Sequence, residues 1–170
     1  MNELHLHLAV SHLPIVFPIV GVIVMITGLI IKSEAVKRTA YLIFILGALA
    51  AFAGIVTGEG AEHGMEEISA AAESFIEHHE DTAKLFLTLS AILGVISIIG
   101  VWASYKKKSF SGGWAIGTLI FALVVLFFAK NTGTTGGEIR HTEIRSGNSA
   151  ANVNIDPVEN QTSDSDNDND

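Results

Sequence analysis

Residues 13–31 read LPIVFPIVGVIVMITGLII, and nothing in that run carries a charge. At about 1.5 Å of rise per residue, a helix of this length covers the roughly 30 Å hydrocarbon core of a bilayer. Its prolines do not forbid a helix. Pro14 falls in the first turn, where a missing N–H is tolerated, and Pro18 is expected to kink the outer third. Three more runs, 39–56, 84–103 and 113–129, uncharged apart from Lys84 at the edge of the second, repeat the pattern. Each is expected to span the membrane, because a helix satisfies its own backbone groups in lipid. The expected fold class is therefore all-α, a four-transmembrane-helix bundle occupying residues 1–145.

Composition agrees. Of 170 residues, 49% are hydrophobic and only 16% charged, with a mean hydropathy of +0.44. A soluble domain carries about a quarter charged residues. The net charge of −8 argues against a nucleic-acid partner, since phosphate binding needs a basic surface. There is no cysteine, hence no disulfide, thiolate ligand or thiol nucleophile. The first run lacks the basic start and small-residue cleavage site of a signal peptide, so it reads as the first span.

Basic residues orient the spans. Lys32, Lys37 and Arg38 mark the first connection, and Lys106, Lys107 and Lys108 the third. The middle connection, 57–82, has no Lys or Arg but carries Glu59, Glu62, Glu66, Glu67, Glu73, Glu77, Glu80 and Asp81. The first and third connections are therefore expected in the cytoplasm, and both termini outside, in a bacterial inner membrane. Within the middle connection, Met65, Ile68, Ala72, Phe75 and Ile76 recur at helical spacing, which suggests a short amphipathic extracytoplasmic helix capping the bundle. Residues 146–170 are polar and acidic with little to bury, and are expected to be a disordered tail. Gly47, Ala51, Gly54 and Gly58 share one helix face, and Gly113 and Gly117 form a GxxxG. Both are read as close-packing faces without chemistry.

All seven histidines, His5, His7, His12, His63, His78, His79 and His141, fall on the side assigned as outer. Imidazole is the commonest metal ligand and titrates near neutrality. A single histidine at a span end is most simply a headgroup-region residue; seven on one side point to a site. Acidic neighbours accompany them. Glu59, Glu62 and His63 share a face if the second helix continues past Gly60, and Glu138 and His141 have Glu-x-x-His spacing. Two chemistries fit: haem b held by two imidazoles from different helices, or a carboxylate–histidine site for a metal ion. The sequence does not say which of His78 and His79 turns inward.

No nucleophile elbow, phosphate-cradling loop or dinucleotide fingerprint is present, so an enzyme is not expected. Thr135-Gly136-Gly137 reads as a turn. No charge lies mid-span, against a pump or ion-coupled transporter with a midplane site.

The opening His7-Leu8-Ala9-Val10-Ser11-His12-Leu13-Pro14 resembles the His-Pro-x-x-x-His-Phe-Pro start of the bacterial membrane family called domain of unknown function 2231 (DUF2231). The stretch Thr132-Gly133-Thr134-Thr135-Gly136-Gly137-Glu138-Ile139 is similar to that family's Thr-Gly-x-x-Gly-Gly-Glu-Val/Ile ending. Thr57-Gly58 followed by His63, and the histidines before the third span, fit the same layout. Leu8 and Leu13 depart from it. The resemblance covers about residues 7–145 and implies a four-span bundle with a redox role. Carried over, its histidines are His7, His12, His63, His79 and His141.

The combined expectation is a haem- or metal-binding electron-transfer module. His12 and His79 are the first choice of axial ligands, with His63, His141 and His7 as alternatives, and Glu59, Glu62 and Glu138 hold the imidazoles or join His63 and His141 around a metal ion. Its partners would be the lipid bilayer and a respiratory redox protein. The alternative is a non-redox accessory subunit or an external pH sensor.

Overall fold

The computed structural model describes residues 3–63, 70–107 and 109–140, with backbone alone at 3–4, 59–63, 70–73 and 139–140. Five helices follow one another: α1 Glu3–Val10, α2 Leu13–Ile30, α3 Glu34–His63, α4 Ala70–Tyr105 and α5 Ser111–Arg140. No strand occurs among the described residues. Four stretches are long and apolar enough to cross a membrane: His5–Ile30, Glu34–Gly58, Ser74–Tyr105 and Ser111–Glu138.

α2 packs on α3, α3 on α4, α4 on α5, and α5 closes on α2, while α1 lies against α3. The bundle is thus a ring of antiparallel neighbours around a core of Met25, Tyr41, Phe44, Leu93, Ala122 and Val125. Large apolar side chains also cover the outside: Ile23, Leu49, Phe52, Ile120 and Phe127 are each about three-fifths exposed or more. In water such a surface marks an interaction site; here it matches lipid contact.

Close approach of the helices depends on glycine. The Phe44 ring lies where a side chain at Gly21 would stand, and the Tyr41 ring does the same at Gly100. Gly47 and Gly54 receive Pro18 and Pro14, so the small-residue face of α3 packs on α2 as expected. Gly113 and Gly117 do not behave that way. Nothing lies within 4 Å of a Cβ built on either, and both are exposed, so this GxxxG faces away from the bundle. α2 runs on through Pro18, whose buried ring rests in the groove above Gly47.

Three boundaries differ from the sequence reading. The start of the chain forms a separate helix, α1, joined to α2 by a turn at Ser11 and His12. α3 and α5 run well past their apolar stretches, to His63 and Arg140. The stretch Thr135-Gly136-Gly137 is therefore helix, not a turn: packing of Gly136 against His79 of α4 and the hydroxyl bonds of Thr135 offset the low helix propensity of glycine. Of the short helix expected between spans two and three, 70–76 form the first turns of α4 without a break. Met65 and Ile68, and the whole tail 146–170, lie outside the described residues.

At the basic end, Ser33 opens α3 with its Oγ 3.5 Å from the Val36 N–H. A network ties α3 to α4 there: Lys37 pairs with Glu34, Ser104 Oγ donates to Glu34 Oε2 (2.7 Å), and Arg38 Nε donates to Ser104 (2.9 Å). The Arg38 guanidinium stacks 4.3 Å over the Tyr105 ring. Lys32 and Lys107 end α2 and α4 in the left-handed region, at φ 55° and 48°.

Candidate functional site

Two imidazoles are set into the opposite rim, and they are set alike. His7, on α1, is hydrogen-bonded through Nδ1 to Thr57 Oγ1 on α3 at 3.1 Å. His79, on α4, is hydrogen-bonded through Nδ1 to Thr135 Oγ1 on α5 at 3.0 Å. Each ring also faces the backbone carbonyl three residues before its threonine, that of Gly54 for His7 and that of Thr132 for His79.

The threonines bear on the tautomer. Thr57 Oγ1 lies 2.8 Å from the Ala53 carbonyl and Thr135 Oγ1 3.0 Å from the Thr132 carbonyl, both of which can only accept. A hydroxyl that gives its proton to its own helix accepts from the ring, and on that ground the hydrogen is assigned to Nδ1 and the lone pair to Nε2.

The residue after each threonine is glycine, and each ring lies on it. A Cβ built on Gly58 would stand 3.2 Å from His7 Cε1 and 4.0 Å from Nε2; on Gly136 the corresponding distances to His79 are 3.0 and 3.6 Å. In both cases Nε2 is the nitrogen farther from that Cβ position. Both side chains are half-buried. Around His79, Thr82 Oγ1 lies 3.0 Å from Thr135 Oγ1, and Thr132 donates to the Thr82 carbonyl at 3.2 Å, sewing α4 to α5.

The other candidates fall elsewhere. His12 sits at the α1–α2 turn, exposed, with Nδ1 3.3 Å from Ser11 Oγ. His12 thus lacks the threonine-and-glycine setting that His7 and His79 share. His5 and His78 are exposed, so of the adjacent pair it is His79 that turns onto the bundle. The side chains of Glu59, Glu62 and His63, and all of His141, lie outside the described residues. Glu138 is half-buried near the end of α5. Among the described residues no three His, Cys, Asp or Glu side chains gather as a metal ion held by protein alone would require.

The paired threonines, which the sequence reading did not select, had a signal. Thr57-Gly58 is followed by His63, and Thr135-Gly136 by His141, both with four residues between glycine and histidine. The chain repeats itself: a helical stretch with a rim histidine (α1–α2, then α4), a left-handed lysine in the connection, then a helix that carries Thr-Gly toward its end, in a Thr-Gly-x-x-x-x-His sequence. The His–Thr separations, 50 and 56 residues, differ because the second half has a longer first helix and connection.

Two imidazoles with free Nε2 lone pairs can bind a metal that supplies its remaining ligands itself. Compared with known proteins, the chain matches no family model, and no curated protein and no solved structure is detectably similar to it.

Proposed function

We propose that this small multi-pass membrane protein is an electron-transfer module related to the DUF2231 family, carrying haem b on its histidine rim. The observation that supports this reading is the pair His7 and His79, both with Nδ1–H anchored and Nε2 available. A metal macrocycle brings its own four equatorial nitrogens, so two imidazoles complete it. A metal ion bound by protein alone needs a larger ligand set, which Glu59, Glu62, His63, Glu138 and His141 would have to supply.

When bound, haem would supply a one-electron couple tuned by its axial ligands and their hydrogen bonds. The chain's own part is to hold the rings. Thr57, Thr135 and the two carbonyls raise imidazole basicity and fix orientation, as hydrogen bonds to ligating histidines generally do. The carboxylate-rich middle connection would lie beside the site on the extracytoplasmic face, and a respiratory partner would exchange electrons there.

The test is the absorption spectrum of the detergent-purified protein after expression with ample haem, together with its iron content. A Soret band and stoichiometric iron are expected. A colourless, iron-free preparation would overturn the redox reading in favour of a non-redox accessory subunit.

A further inference from the structure

We infer that the rim is one site built from two copies of a half-site, and that Thr57 and Thr135 are its positioning residues, holding His7 and His79 in matching tautomers so that one ligand is shared between the halves. This rests in part on the reading that the ligand is a metal macrocycle.

Two contacts repeat together. In each half the histidine sets Nδ1 against a threonine hydroxyl, at 3.1 and 3.0 Å. In each half the ring lies on the glycine that follows that threonine. Each hydroxyl also reaches a backbone carbonyl of its own helix, as other threonines of the chain do, which favours its accepting from the ring. A buried histidine placed for packing alone has no reason to reproduce this arrangement in both halves. The ring order α2–α3–α4–α5 sets the halves opposite each other, as a two-fold axis along the bundle requires. The Nδ1–H tautomer is the less common one for free imidazole, so holding both rings in it takes partners, and the threonines are those partners.

The arrangement makes a quantitative demand: the two half-sites should count equally and serve one ligand. Two measurements test it. The first needs no ligand. In the ligand-free full-length protein in micelles, labelled with ¹⁵N-histidine, proton–nitrogen correlation spectra above neutral pH should show two rings in the Nδ1–H form. Thr57→Val should lose one and Thr135→Val the other, while Thr57→Ser and Thr135→Ser keep both. The serine variants separate loss of the hydroxyl from damage to the fold.

The second is a titration with haemin. One equivalent per chain should bind, and each valine variant should weaken it by a similar factor, about ten- to a hundredfold. Two equivalents per chain, or a large loss in one valine variant with none in the other, would overturn the shared site. Unchanged tautomers in the valine variants would overturn the positioning role even if haemin binds. Tautomers that respond as described without haemin binding would uphold the positioning role and remove the macrocycle reading.

Discussion

The imidazole of His79 occupies the space that a side chain at Gly136 would need, with Cε1 3.0 Å from the Cβ position. Gly136→Val therefore forces the ring off its shelf and breaks the bond to Thr135. The helix itself should survive, because Gly136 lies near the end of α5, beyond the packed core. Haemin affinity should fall at least tenfold with the helical circular dichroism unchanged. Gly58→Val should do the same through His7.

Glycines in this chain should divide sharply by what surrounds them. A Cβ on Gly21 would stand 2.5 Å from Cε1 of Phe44, which is fully buried and cannot give way. Gly21→Ala should cost about 1–3 kcal/mol through overpacking. Gly117 has nothing within 4 Å, so Gly117→Ala should stabilise by up to about 1 kcal/mol through helix propensity. Thermal unfolding in detergent compares the two directly.

Ser104 links the ends of α3 and α4, accepting from Arg38 Nε and donating to Glu34. Ser104→Ala leaves both without that partner and should cost about 1–2 kcal/mol. It should leave ligand binding at the other rim unchanged. Paired melting and haemin titration check both halves of the statement.

Ligation needs neutral imidazole, since a protonated ring has no lone pair to give. The liganded state thus holds fewer protons, and affinity must fall as pH falls, not as it rises. At any pH low enough to protonate both free rings, affinity should drop up to about a hundredfold per pH unit. His7→Ala should reduce that slope to about tenfold. Equal slopes in the two proteins would show that His7 is not a ligand.

The absence of native cysteine lets single labels report sidedness. In right-side-out vesicles, His78→Cys should react with an impermeant maleimide and Lys106→Cys only after permeabilisation. The reverse pattern would place the histidine rim in the cytoplasm.

The four apolar runs were legible because lipid imposes length and uncharged composition on any helix that crosses it. Helix ends were not. Thr132-Gly133-Thr134-Thr135-Gly136-Gly137 looks like a loop by local propensity, and only the packing of α5 on α4 holds it helical. The setting of His7 was hidden for a related reason. The turn at Ser11 and His12 separates α1 from α2, so helical phase read along the apolar run cannot be carried back to His7. The threonine hydroxyls were invisible to a search for charged and ligating residues, although the Thr-Gly-x-x-x-x-His repeat was present in the chain.

The shelves on Gly58 and Gly136 have a consequence for mobility. A ring that rests on main chain, with its Nδ1 tethered, has few other rotamers within reach. Exposed apolar side chains elsewhere, such as Ile23 or Phe52, can change size without moving it. If the rim carries the proposed haem, a centre mounted this way would keep nearly the same shape as its charge changes.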